Sequence, residues 1–353
     1  MRISAIIPAL LLATAALTPA AAVARSAMVG PFAYQVAPGD TLMTIANAYL
    51  SNPNDYRTLQ TVNRVRDPRR IPVGSTLTIP RSLLKTTIIS ARITAFRGNV
   101  TVGAEAARRG MVVSEGGRIQ TGPNSSVSLA VEDGSTIALP SNSRIRIERL
   151  RSVLISGEVE RVFRLEAGKS QYDVPHSESP GNRFDVVTPV AVAAVRGTAF
   201  RVSYDDAVKS SATETLRGEV GLEAGPTNVS VPGGFGVIAR EAGAGDVVKL
   251  LEAPVISNQV ERAGSDGVRV TIKPVEGAVK YHLQFALDTR FGNITNDLYT
   301  TDPVFTIAGL SENDYFISIS AVDGNGLEGM TNVYPFPYHP TAAATQTSAP
   351  PAS

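Results

Sequence analysis

The sequence predicts a mostly β, multidomain chain: a small α+β (βααβ) unit near the N-terminus, an all-β sandwich or roll, and a further β-sandwich. Three observations carry that expectation. Apolar residues recur at helical spacing early in the chain, with Leu42, Ile45, Ala46 and Tyr49 at i, i+3, i+4 and i+7. From Ala91 onward apolar and polar residues alternate with period two, as in half-buried strands. Glycine-containing turn signals separate these runs at intervals of roughly 8–12 residues, the spacing of sandwiches and rolls. The 353 residues are enough for two or three ordinary domains.

Taken in order, Met1-Arg2 precedes an apolar run from Ile3 to Leu17 and then Ala22-Val23-Ala24. A charged start, an apolar middle and a small-residue cleavage site predict a secretory signal over residues 1–24, with the mature chain starting near Arg25. An uncleaved anchor needs about 20 apolar residues. Pro8, Pro19 and the Ala-x-Ala site oppose it. The expected location is therefore the periplasm or cell envelope. With no cysteine in the chain, neither a lipobox anchor nor a disulfide is available. An exported protein without disulfides is stabilised by its cores alone.

The next segment, residues 34–81, reads as two short strands around two helices. Asp40 stands where a helix N-cap belongs, and Asn52-Pro53 starts a second helix with Tyr56, Leu59 and Val62 facing inward. Val73-Gly74 turns the chain into Leu77 and Ile79, whose alternation marks a strand able to pair beside Tyr34-Val36. Tyr34-x-Val36-x-x-Gly39-Asp40-Thr41-Leu42-x-x-Ile45-Ala46 and Ile71-Pro72-x-Gly74-x-x-Leu77-x-Ile79-Pro80 occur together and in order. The segment closely resembles a LysM domain, a module that binds N-acetylglucosamine-containing glycans such as peptidoglycan. The resemblance implies a glycan groove where Gly39, Asp40, Thr41 and Leu42 face Val65, Arg66, Asp67, Pro68 and Ile71. Such a groove binds through backbone amides to acetamido groups, with apolar contact from Leu42 or Ile71. Leu42, Ile45 and Ile79 also read as core, because so small a unit has few other residues to bury.

Residues 91–250 alternate throughout. Ile93-Ala95, Val100-Val102, Val127-Val131, Ile137-Leu139 and Arg144-Ile147 are expected strands, separated by Arg97-Gly98-Asn99, Glu115-Gly116-Gly117, Gly122-Pro123-Asn124 and Glu132-Asp133-Gly134-Ser135. Phe163-Leu165, Phe184-Val187 and Ala194-Val202 follow, then a hairpin-like Glu214-Leu222 leading to Val231-Val237. The order Gly116-Gly117-x-Ile119-x-Thr121-Gly122, Asp133-Gly134-Ser135, Leu165-x-x-Gly168, Thr188-Pro189 and Val195-Arg196-Gly197-Thr198-x-Phe200-x-Val202 resembles the FecR domain. That family is named after a periplasmic regulator of ferric-citrate uptake, which relays a signal from an outer-membrane transporter to a sigma factor. Its regulatory members carry a cytoplasmic segment ahead of a membrane helix. Only Met1-Arg2 precedes the apolar run here, so the expectation is an exported β module without the transcriptional role. Arg196-Gly197-Thr198 reads as a strand kink or bulge with a buried arginine.

Residues 254–338 form the third unit. Strands are expected at Val268-Ile272, Tyr281-Leu287, Val304-Ile307 and Tyr315-Val322, with Asp323-Gly324-Asn325-Gly326 a tight hairpin turn. Gly277-Ala-x-x-Tyr281-x-Leu283-x-Phe285 and Gly309-Leu310 with Tyr315 and Ala321-Val322-Asp323 resemble a fibronectin type III-like sandwich. Ile272 takes the place of that family's early core tryptophan. Residues 339–353, rich in Ala, Thr, Pro and Ser, are expected to be a disordered tail.

Charge is balanced overall, at 33 Lys and Arg against 32 Asp and Glu, but not locally. Tyr34 to Arg81 holds six basic residues against three acidic, and Pro254 to Tyr338 holds five against ten. Arg64, Arg66, Arg69 and Arg70 either meet peptide-stem carboxylates or form a solvated face. No aromatic residues interleave the basic ones, which opposes a nucleic-acid role. No cysteine nucleophile exists, and His176, His282 and His339 fall in a loop, a strand and the tail. Asp173, His176 and Glu178 form a polar loop rather than a metal or acid–base site. Asp323-Gly-Asn325-Gly begins like a calcium loop, but Tyr334 stands at position twelve where a bidentate Glu is required. Glu132-Asp133 and Asp205-Asp206 sit at turns without a substrate cleft. The expectation is thus a non-catalytic envelope protein with no cofactor or metal, peptidoglycan as one partner and an envelope protein of unknown identity as another. The alternative is a signalling component whose FecR-like region senses an outer-membrane partner. A wall-metabolism enzyme ranks third.

Overall fold

The computed structural model describes residues 30–179, 181–257, 261–262, 267–289, 291 and 293–339. The expected signal segment 1–24, and the expected tail after His339, lie outside the described residues. The architecture is mostly β, with helices confined to the first unit.

That unit runs β1 (Phe32–Gln35), α1 (Leu42–Tyr49), α2 (Tyr56–Val62) and β2 (Thr76–Ile79). The two strands pair antiparallel, Tyr34 opposite Leu77. Leu42, Ile45, Ala46, Leu50, Leu59, Leu77 and Ile79 bury completely or nearly so. Two local expectations need correction. The N-cap of α1 is Thr41, not Asp40: the Thr41 hydroxyl accepts from the Thr44 N–H, and the Thr44 hydroxyl accepts from the Thr41 N–H. The second helix opens with a 3-10 turn, Pro53–Asp55, capped by the Asn52 side chain. Val62 stands 48% exposed, outside the core.

The strands between Thr86 and Lys249 hydrogen-bond into one closed barrel around a single core. Closure depends on the long strand Val159–Asp173. Its first half pairs with Arg144–Val153 and, in parallel, with Arg183–Val187, and its second half pairs with Ala199–Asp205. The change of partner falls at Gly168, whose φ of +78° and close approach to the Asn142 carbonyl leave no place for a side chain. Tyr172, Phe163, Phe184 and Phe200 cluster in the centre, with Tyr172 stacked on Phe200 at a ring-centroid distance of 4.9 Å.

Two expectations for this region are overturned. Glu214–Leu222 is not a hairpin. Ser210–Arg217 pairs with Ala199–Asp205 and Phe235–Arg240, whereas Glu219–Ala224 pairs with Val192–Val195 and Thr227–Pro232. Gly218, at φ +86°, is a corner between two parts of the barrel. Arg196-Gly197-Thr198 is a turn joining Val192–Val195 to Ala199–Asp205, and Arg196 is exposed. The bulge lies one residue later, between Ala199 and Phe200, and the buried arginine is Arg201.

The last unit packs Glu261–Arg262, Val268–Thr271 and Val304–Ile307 against Ile294–Thr300, Ala278–Ala286, Asn313–Asp323 and Glu328–Tyr338. Ile272 is buried in the core between these sheets. The Tyr315 hydroxyl donates to the Ser311 carbonyl at 2.9 Å, the corner contact common in such sandwiches. Asp323 closes the turn by accepting from the Asn325 and Leu327 N–H groups.

The three units are in contact. Val153, from the barrel, belongs to the core of the first unit, and Arg81 donates to Glu158 at 2.6 Å. Burial pushes the Glu158 carboxyl up, but Arg81 and Ser156 outweigh it and hold the group below its ordinary range. Between barrel and sandwich lies a buried set of charges: Lys169, Arg201 and Glu214 meet Glu328, His282 and Asp297.

Candidate glycan-binding site

The start of α1 and the loop after α2 are held together by one backbone hydrogen bond. The Leu42 N–H donates to the Pro68 carbonyl at 3.0 Å, so an orphan donor of the first helical turn is satisfied by the opposite loop. The β1–α1 connection is pinned from below. Asp40 accepts from the Tyr34 hydroxyl at 2.9 Å and from the Ala37 N–H at 2.7 Å. Burial, and then the Asp40 carboxylate, push the Tyr34 phenol up to about 12. Gly39 adopts φ +90° in open space, so it serves the backbone turn rather than a tight fit.

The facing loop is shaped by its own polar groups. The Val65 N–H donates to the Gln60 carbonyl, and the Gln60 side chain donates back to the Val65 carbonyl. Asp67 accepts from the Arg69 N–H at 2.9 Å through its side chain and from the Arg70 N–H through its carbonyl. Asn63 ties this loop to β2, donating to the Thr78 carbonyl and accepting from the Thr78 N–H. Among the described residues, the N–H groups of Gly39, Arg66 and Asp67 make no intramolecular hydrogen bond. Unpaired backbone donors beside two turned loops suit a polar ligand bearing acetamido carbonyls.

Of the expected groove residues Gly39, Asp40, Thr41, Leu42, Val65, Arg66, Asp67, Pro68 and Ile71, the structure joins the two loops through Leu42 and Pro68 and packs Leu42, Val65 and Ile71 in one cluster. Gly39, Arg66 and Asp67 are exposed, and Asp40, Thr41, Val65 and Pro68 half-buried. The apolar contribution expected of Leu42 is corrected: its side chain is fully buried and offers the groove only its backbone. Ile71, 9% exposed, is likewise part of the core. Sequence reasoning missed Asn63 and the Tyr34–Asp40 pair. The Thr-x-x-Thr spacing of Thr41 and Thr44 signals the true cap.

Elsewhere, Asp173 is engaged by Arg217 at 2.7 Å. Among the described residues no group of His, Asp and Glu is arranged to hold a metal ion. Nor is any described helix long and apolar enough to cross a membrane.

Residues 34–80 match the LysM domain and residues 117–221 match the FecR protein family; both are non-catalytic domain families. No curated protein matches the chain. Among solved structures, a candidate anti-sigma factor from Parabacteroides distasonis aligns at 19% identity over 37% of this chain and 58% of its own, with a TM-score of 0.32. The chain therefore spans a little under three-fifths of that protein. The fn3 domain of human collagen alpha-1(XX) aligns at 18% identity over 30% of this chain and 90% of its own, with a TM-score of 0.20. The chain thus holds a stretch that matches LysM at residues 34–80 and one that matches FecR at residues 117–221, followed by a β-sandwich.

Proposed function

We propose that this is an exported, non-catalytic protein of the periplasm or cell envelope that holds peptidoglycan through residues 34–81. In this reading the signal segment 1–24 is removed, and residues 91–250 and 254–338 present scaffold or interaction surfaces to an envelope protein. One observation carries the binding assignment. Two loops, joined by the Leu42 N–H to Pro68 carbonyl bond, leave donors of Gly39, Arg66 and Asp67 without internal partners, inside the stretch that matches LysM. The FecR match supports a second reading, in which the barrel senses an outer-membrane partner and passes its state to a separate membrane protein.

Sedimentation of the purified mature protein with isolated sacculi tests the first reading. Retention is expected at moderate salt, since acetamido hydrogen bonds are little screened, and the repetitive wall strengthens weak individual sites. Soluble N-acetylglucosamine oligomers should release the protein. Protein left in the supernatant under all conditions would remove the tether.

A further inference from the structure

We propose that Arg64, Arg66, Arg69 and Arg70 make the glycan groove selective for walls whose strands still carry peptide stems, by facing the stem carboxylates. This rests on the peptidoglycan reading above and adds what the groove distinguishes.

The four arginines lie within seven residues of the loop that supplies one wall of the groove, and all four are exposed. None forms an ion pair among the described residues. Six barrel arginines, Arg118, Arg151, Arg161, Arg164, Arg183 and Arg201, are each matched to a carboxylate, whereas here four unmatched ones fall on one loop. The two nearby acids do not compensate. Asp40 is committed to Tyr34 and Ala37, and Asp67 to the Arg69 N–H.

The loop is also held in place. Arg64 takes φ +53° at its start, Gln60 clamps Val65 on both backbone groups, and the Pro68 carbonyl is fixed to Leu42. The guanidiniums therefore project from a fixed rim beside the groove, where their planar donor forks fit carboxylates bidentately. A neutral glycan strand gives these charges nothing to pair with. A strand with stems brings carboxylates beside every second sugar.

The test measures the mature protein on intact sacculi and on sacculi stripped of stems by amidase and then amidated at the lactyl carboxylates that amidase leaves, at low and high salt. Two or three exposed pairs should favour intact walls about tenfold at low salt. That preference should shrink at about 1 M salt, where screening reaches about 3 Å. In Arg69→Gln/Arg70→Gln the ratio of the two affinities should fall toward one.

Three results would overturn the proposal. Unchanged affinity for both walls in the double variant would leave the arginines a solvated face. An equal loss on both walls would mean that they act on the glycan or on the loop itself. Equally tight retention on anionic lipid vesicles would make the patch a general anion surface. If the wild-type protein binds neither wall, the peptidoglycan reading falls first and takes this one with it, an outcome distinct from the others.

Discussion

Asp40 and Thr41 show how two adjacent residues divide work that the sequence assigns to one. Either can cap a helix, because both offer a side-chain oxygen to the first turn. Thr41 takes the cap because Thr44 returns the bond at 2.8 Å, and Asp40 is then free for Tyr34 and Ala37. Thr41→Ala should cost about 1 kcal/mol, read as faster hydrogen exchange at the first amides of α1. Asp40→Asn should leave those amides protected and return the Tyr34 phenol toward its ordinary value, since the nearby negative charge opposes phenolate formation. The sign follows from the raised phenol. Its contribution to stability is present below the ordinary tyrosine value and fades as pH rises toward about 12. An NMR titration of Tyr34 unmoved by Asp40→Asn would contradict the assignment.

Strands were legible from alternation, and their partners were not. Period two says which face a residue occupies and nothing about which strand lies beside it. Glu214–Leu222 reads as a hairpin for that reason, although Gly218 turns the chain from one part of the barrel to another. Glu328–Tyr338 escaped notice because Pro335 and Pro337 break the pattern. It lies at the edge of its sheet, where proline is tolerated. Ile294–Thr300, polar at three central positions, hid for the same lack of alternation. The groove was legible as a pair of loops, since the motif fixes their spacing, but the buried state of Leu42 follows from packing alone. Glycines at the corners are the testable element-scale prediction. A Cβ on Gly197, at φ +82°, would lie 2.5 Å from the His176 Cα. Gly197→Ala should therefore destabilise the barrel by roughly 2 kcal/mol or more, combining backbone strain with a clash against main chain. Gly39→Ala meets open space and should cost only the strain, roughly 1 kcal/mol. Equal melting shifts for the two would refute this ordering.

At the scale of the molecule, barrel and sandwich are joined by charges rather than by apolar surface alone. Arg201, 3% exposed, donates to the Glu328 carboxylate at 2.8 Å and to the carbonyls of Glu328 and Gly329. Lys169 also reaches Glu328, Ser320 donates to it at 2.6 Å, and Glu214 accepts from its N–H. His282 stands between two carboxylates, Nδ1 3.0 Å from Glu328 and Nε2 2.5 Å from Asp297, with the Tyr299 ring stacked on its face. A neutral imidazole donates from one nitrogen only, so this geometry calls for imidazolium. Formal charges agree: Lys169 and Arg201 leave one of the carboxylates of Glu214, Glu328 and Asp297 unmatched, and a charged His282 supplies the balance. Burial pushes His282 down, but Glu328 and Asp297 outweigh it and the group titrates above its ordinary value. Burial likewise pushes Glu328 up, and Arg201, Lys169 and His282 hold it well below the carboxylate range. A raised histidine contributes stability fully below its ordinary value and loses it as pH rises through the folded one. Docking should therefore weaken as pH rises above the ordinary histidine value, seen as a barrel–sandwich transition in calorimetry that moves down or splits in two. His282→Gln should flatten that dependence. Arg201→Met should cost about 3–5 kcal/mol at any of these pH values, because it strands buried carboxylates. The exposed His339, raised by Asp314 and Glu312, shifts in the same direction, so the slope must survive in His339→Gln and vanish in His282→Gln. A slope that persists in His282→Gln would place the pH sensitivity outside this junction.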